Sequence, residues 1–304
     1  MDEILALARE LKEDCPSLEL RAEEPMSGHT TFRIGGPARL MAIPQTEKEA
    51  VAAILAAQAH GISPFFLGNG SDLLVSDRGY DGFIVKAVGG LERLEVRGSE
   101  VIAGGGVLLS RLAAYAMEQG LSGLEFAHGI PGSLGGAVTM NAGAYEGEMS
   151  KVVREVRCLT ERGEQETISG PDLKFSYRHS AFSDGRRLIL EAALQLTPGN
   201  QEAIRALMED LGNRRRSKQP LNLPSAGSTF KRPEGYYAAA LIDECKLKGV
   251  AVGGAQVSTK HAGFVVNAGG ATCEDVLRLT ELVRETVLRE TGVELELEVK
   301  TLGV

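Results

Sequence analysis

Between Ser122 and Ser150 the chain reads SGLEFAHGIPGSLGGAVTMNAGAYEGEMS, a stretch through which ordinary helix or strand is hard to write. Gly129, Gly132, Gly135, Gly136 and Gly143 lack a Cβ, so the backbone there is free to take positive φ and to lie against a ligand, its N–H groups turned toward phosphate oxygens. Pro131 stiffens the turn. The composition also suits a glycine-rich surface loop that binds nothing. Ile130, Leu134, Val138 and Met140 interleave with the glycines, however, and predict a buried segment whose backbone polar groups need partners. His128 is read as a packed loop residue.

A chain of 304 residues is long enough for two or three domains. A net charge of −8 argues against a general nucleic-acid or membrane-surface binder, and no apolar run approaches the length of a bilayer span. The four cysteines, Cys15, Cys158, Cys245 and Cys273, have no metal-ligand spacing. They read as free thiols in a reducing compartment, so no metal is expected and the expected location is the cytoplasm. The acidic, amphipathic start, MDEILALARELKEDC, reads as a first helix rather than a signal peptide.

In chain order, a helix is predicted over 2–12, then a strand over 38–43. Thr46 with Glu49 forms a capping box for a helix that runs to Gly61. A strand at 64–67 runs into Gly68-Asn69-Gly70-Ser71-Asp72, a second phosphate-loop candidate whose composition a hairpin turn would share. Strands follow from Phe83 to Gly104, then a helix over 108–119. Past the central loop, residues 187–197 alternate as a strand with one buried face. Pro198-Gly199-Asn200 marks the expected domain boundary.

The last third is richer in cations: Arg214, Arg215, Arg216, Lys218, Lys231, Arg232, Lys246, Lys248 and Lys260. Arginines ending the helix over 201–216 complement its dipole, yet their recurrence in an acidic protein points to an anionic ligand such as a nucleotide sugar. Thr272 and Asp275 open a long helix with core positions Val276, Leu279, Leu282, Val283 and Val287, stopped by Gly292. An alternating strand is expected over 293–299.

Six segments, HTTFRIGGPA (29–38), LGNGSDLLVSD (67–77), GLEFAHGIPGSLGGAVTMNAGAYEGE (123–148), FSYRHSAF (175–182), AGSTFKRP (226–233) and LELEVKTLG (295–303), occur in an order that resembles the UDP-N-acetylenolpyruvoylglucosamine reductases, the MurB family, over nearly the whole chain. The resemblance is to the shorter, type II form. It implies an α+β fold: an N-terminal lead-in over 1–29, an FAD-binding domain of the PCMH (vanillyl-alcohol-oxidase) type with two α+β subdomains over 30–197, and a smaller α+β substrate domain over 198–304. The implied reaction takes reducing equivalents from NADPH through non-covalent FAD to UDP-N-acetylglucosamine enolpyruvate, giving UDP-N-acetylmuramate for peptidoglycan synthesis. A monomer is expected, with no nucleic-acid or membrane partner.

Carried over by motif, Arg178 supplies a cation for the substrate carboxylate, Ser228 the proton, and Glu298 a second polar group on the intermediate. FAD contacts fall on Gly68, Asn69, Gly70, Ser71 and Asp72, and on Gly132, Ser133, Gly136 and Ala137. Substrate contacts fall on Tyr177, Lys218, Arg232 and His261. Taken alone, Arg178 also reads as a surface ion-pair residue, Ser228 as a turn residue, and Glu298 as part of a solvated strand face with Glu294 and Glu296. The sequence departs from the family at Asp72, where Asn is commoner; at Cys245-Lys246, for an Ala-Gly pair; and at Leu297, for Pro. Another flavoenzyme of the same superfamily and a non-catalytic nucleotide-sugar binder are the alternative functions.

Overall fold

The computed structural model describes residues 2–304 as two compact units, each assembled from three separated stretches of chain. The first takes residues 2–24, 39–69 and 82–214; the second takes 25–38, 70–81 and 215–304. Contacts therefore do not divide the chain at one point near Pro198. Pro198 itself pairs with Leu121 inside the first unit.

The first unit holds two hydrophobic cores. One lies under helices α1 (Glu3–Asp14) and α2 (Glu47–Ala59) and a sheet with strand order Glu19–Pro25, Pro37–Ile43, Tyr80–Lys86, Phe65–Leu67. Asp2 caps α1 by accepting from the amides of Ile4 and Leu5. Thr46 caps α2 by accepting from the Glu49 amide, but the expected box does not close. Glu49 is buried and turns instead to the Gln45 amide at 2.6 Å and the Ser17 hydroxyl at 2.7 Å.

The other core packs α3 (Leu109–Glu118) and α4 (Leu134–Thr139) against an antiparallel sheet of five strands, ordered Gln165–Ser169, Val153–Thr160, Arg187–Gln195, Glu100–Gly104, Leu94–Arg97. Its central strand, Arg187–Gln195, is buried on both faces rather than the expected one. Leu188 and Leu190 face the first core, whereas Ile189, Ala192 and Leu194 face the second. The register explains this. Cys158 pairs with Ile189 and Arg157 with Glu191, so Leu190 is the extra residue of a bulge, and the side-chain alternation shifts there. Helix α5 (Gln201–Lys218) follows.

The second unit is built on α7 (Cys273–Thr291), packed with α6 (Ala238–Glu244) against a three-stranded antiparallel sheet of Ala251–Val252, Ala255–Val257 and Val265–Asn267. Thr272 and Asp275 close a full capping box on α7, the Asp77 carboxylate accepts from the amides of Cys273 and Glu274, and Gly292 ends the helix at φ +72°. Val276, Leu279, Val283 and Val287 are buried as expected. Leu282 is not: it is 40% exposed, and Cys273 and Thr280 are the other buried positions of the helix.

The expected strand over 293–299 is also absent as such. Only Leu297 makes a bridge, with Phe230, and the regular strand is Lys300–Leu302, parallel to Leu73–Val75. The bonds flanking that bridge, Lys231 N–H to Glu296 O and Glu298 N–H to Thr229 O, leave the Leu297 amide out of the pairing. That is why proline, with no N–H, suits this position in the family. All four cysteines are free, and burial pushes the Cys158 and Cys273 thiols up to about 11.

Two stability predictions follow from local geometry. Lys246, just past α6, takes φ +57° where the family pattern places glycine. Lys246→Gly relieves a left-handed side-chain clash and is expected to stabilise by about 1 kcal/mol, read as a higher midpoint in urea. His60 joins α2 to α1 through Glu10 at 2.8 Å and Glu3 at 3.3 Å; these bonds, Glu10 first, raise its pKa above the ordinary value of about 6.5. A raised folded-state pKa adds stability that is full below the ordinary value and lost as pH rises through the folded one. His60→Gln should therefore lower Tm at about pH 5.5 and converge on the parent at about pH 8.5.

Candidate active site

The glycine stretch that resists simple secondary structure folds as a 3₁₀ turn (Glu125–Ala127), the short helix α4, and a two-residue hairpin pairing Gly143–Ala144 with Gly147–Glu148. Tyr145 and Glu146 at the hairpin tip both take positive φ, +49° and +68°. His128 is exposed, not packed, because the 3₁₀ turn before it buries Glu125, Phe126 and Ala127 and leaves 128 at the surface.

Backbone lies directly on backbone here. The Gly135 amide donates to Gly105 O at 2.8 Å, and a Cβ on Gly105 would stand 2.1 Å from Ile189 O. Asn69 Nδ2 donates to Pro131 O at 2.6 Å and ties the 68–69 turn to the central loop. A Cβ on Gly68 would meet Ser133 Oγ at 2.4 Å.

Ser133 caps α4: its hydroxyl accepts from Gly136 N–H at 3.4 Å, and its carbonyl accepts from Ala137 N–H. The amides of Gly136 and Ala137 are thus spent within the helix and are not turned outward as the sequence suggested. Those of Gly68, Asn69, Gly132 and Ser133 meet no acceptor among the described residues. Such adjacent donors on turns stripped of side chains suit a diphosphate, so this part of the first unit fits the FAD that the sequence implies.

Tyr177 and Arg178 are the corner residues of a tight turn closed by Ser176 N–H to His179 O at 3.0 Å and His179 N–H to Ser176 O at 3.2 Å. Arg178 sits at φ +54°, the second corner position that a type II turn normally gives to glycine. Holding a bulky residue there costs on the order of 1–3 kcal/mol, a strain that the surroundings must impose. Its guanidinium lies 5.0 Å from the ring centre of Tyr177, which is 53% exposed.

In the second unit, Gly70 takes φ +60° with its would-be Cβ 2.1 Å from His29 O, Ser71 is half-buried, and the Asp72 carbonyl accepts from Lys300 N–H. Ser228 and Glu298 are brought to neighbouring segments by their backbones: Thr229 O accepts from Glu298 N–H at 2.9 Å. Glu298 is 9% exposed, unlike Glu294 and Glu296, which ion pairs hold at the surface. Thr229, unremarked in the sequence, is fully buried, and its hydroxyl accepts from Val265 N–H at 2.9 Å. Its place inside the AGST motif is the only signal that could have singled it out.

Arg232 is exposed and stacks 4.0 Å over Tyr237. Lys218 is exposed near the end of α5. His261 is half-buried, edge-on to Phe264 at 4.9 Å, and its Nδ1 accepts from Gly263 N–H. Burial holds its pKa below the ordinary value. Among the described residues no group of His, Cys, Asp and Glu is arranged to hold a metal ion.

Residues 38–169 match the family model described as an FAD binding domain, and with the glycine-walled donor site this makes the protein a flavin-dependent oxidoreductase. Residues 219–302 match the model described as the C-terminal domain of UDP-N-acetylenolpyruvoylglucosamine reductase. The chain belongs to that family, MurB. It is 46% identical over 297 residues to the reductase of Caldanaerobacter subterraneus subsp. tengcongensis, covering 98% of each chain. It is 47% identical over 307 residues to that of Agathobacter rectalis, covering 97% of this chain and 98% of the relative. The crystal structure of UDP-N-acetylenolpyruvylglucosamine reductase from Thermus caldophilus superposes with a TM-score of 0.79 at 34% identity, covering 94% of this chain and 98% of that one.

Gly68→Ala is expected to weaken FAD by at least about tenfold, or about 1.4 kcal/mol, because the added methyl strikes Ser133 Oγ. Gly28→Ala, where a Cβ meets nothing within 4 Å, should retain it. Titrating FAD into stripped protein and following flavin fluorescence measures both.

Proposed function

We propose that this protein reduces UDP-N-acetylglucosamine enolpyruvate to UDP-N-acetylmuramate, with NADPH as reductant and non-covalently bound FAD between them. The observation that carries the reading is Glu298, a buried carboxylate on the segment hydrogen-bonded to the one bearing Ser228. A solvated strand face would not bury one glutamate of three.

FAD, when bound, would supply hydride chemistry, carrying the two electrons of NADPH to C3 of the substrate double bond. Saturating that bond then takes one proton at C2, and negative charge builds on the adjoining carboxylate meanwhile. In the proposal Arg178 meets that charge, held in a strained turn and braced by Tyr177. Ser228 delivers the proton, and Glu298 supplies the second polar contact to the intermediate. Gly68, Asn69, Gly70, Ser71 and Asp72, with Gly132 and Ser133, hold FAD; Gly136 and Ala137, whose amides are spent within α4, are not among its donors. Lys218, Arg232 and His261 contact the nucleotide-sugar part of the substrate.

The protein is proposed to act as a cytoplasmic monomer. The four free thiols support a reducing compartment.

Mixing the protein anaerobically with NADPH should bleach flavin absorbance near 450 nm, and the enolpyruvyl substrate should restore it. Ser228→Ala should keep the first step and slow the second by about 10²–10⁴-fold. Bleaching without recovery in the parent protein would refute the substrate, and absence of bindable flavin would refute the whole assignment.

A further inference from the structure

The turn that carries Arg178 is tied to the end of the glycine loop by one buried side chain. Asn141 is 3% exposed and stands just past α4 at φ +42°. Its Nδ2 donates to Ser176 O, the first residue of the Arg178 turn, at 3.1 Å. Its Oδ1 accepts from Ser150 N–H at 2.9 Å. A left-handed asparagine after a helix is an ordinary way to end one, but that role uses only the backbone, and glycine would fill it. The two side-chain bonds require more: a donor and an acceptor on one short planar group.

A second tie grips the far side of the same turn. Ser180 is buried, and its hydroxyl donates to Thr139 O at 2.9 Å. Residues 139–141 therefore hold the turn at both Ser176 and Ser180. Between those anchors Arg178 keeps a φ that arginine seldom adopts unaided.

We infer that Asn141 is a positioning residue for Arg178, fixing the turn so that the guanidinium stands ready for the substrate carboxylate. The inference rests on the role proposed above for Arg178. A cation already in place avoids an ordering cost at the moment of binding and is aimed at the developing charge. Loosening the turn forfeits both advantages and leaves reduction by NADPH untouched.

The test is a double-mutant cycle on FAD-loaded protein. Asn141→Asp keeps the acceptor for Ser150 and sets a second acceptor against the Ser176 carbonyl. Asn141→Gly removes the side chain without strain at φ +42°. Each is measured alone and combined with Arg178→Ala, by calorimetric binding of the enolpyruvyl substrate to oxidised protein and by kcat. Each Asn141 variant alone should weaken binding and lower kcat by about 10- to 100-fold, with NADPH bleaching unchanged. Combined with Arg178→Ala, neither should add more than about twofold to the loss from Arg178→Ala, since both changes act through one group.

Wild-type behaviour of both Asn141 variants beside an impaired Arg178→Ala overturns the coupling alone, as do losses that multiply in full. An Arg178→Ala protein as active as the parent overturns the assignment of Arg178 and the coupling with it. If only the aspartate variant loses FAD, the glycine cycle decides. Loss of FAD from both Asn141 variants assigns Asn141 to the cofactor loop and overturns the coupling.

Discussion

Backbone-to-backbone packing at the glycines is the constraint on which the first unit depends. The Gly135–Gly105 hydrogen bond and the approach of Gly105 to Ile189 O leave no room for side chains. Through Ile189 this contact reaches the central strand of the five-stranded sheet, and through Gly135 it sets the start of α4. The position of Ser133 as cap follows, as does the closeness of Gly68 to its hydroxyl. A site that must take a large anionic cofactor gains from this, because a wall of backbone offers donors that cannot swing away.

The second unit solves a different problem, which is to hold a serine and a carboxylate near one another on irregular chain. It does so through Thr229, whose amide donates to Gly263 O, whose carbonyl accepts from Glu298 N–H, and whose hydroxyl accepts from Val265 N–H. The side chains concerned are short or buried, so they keep little conformational freedom. The same pairing leaves the Leu297 amide idle, which reconciles this sequence with a family that commonly carries proline there.

Much of this was legible in the sequence where the signal is local. Thr272 with Asp275, and Gly292, mark helix ends by chemistry that acts within a few residues, and the structure places the ends there. Most of the apolar stripe of α7 was equally clear. What was not legible depends on partners far along the chain. Leu282 fits the helical spacing yet faces outward at 40% exposed, while Thr280 is buried. Leu188 and Leu190 fall in one core while Ala192 and Leu194 fall in the other, because a bulge set by the neighbouring strand intervenes. Glu49 reads as half of a capping box until a serine 32 residues away claims its carboxylate. In the glycine stretch the sequence pointed to close backbone approach, while α4 and the hairpin within it could not be read from residues that tolerate almost any φ and ψ. Arg178, Ser228 and Glu298 are singled out as candidates only by family resemblance. Burial of Glu298 breaks an alternation that the sequence shows without interruption.

The interleaving of the two units bears on how the chain is made. Phe32, Ile34 and Leu74 lie in a core whose other members all come after residue 225. While the polypeptide is being synthesised, these apolar side chains lack most of their native neighbours until the chain beyond residue 225 has emerged. The second unit thus cannot complete its core stepwise behind the ribosome, and its early segments wait for about 150 to 190 residues, a long interval in which chaperones or aggregation can intercept them.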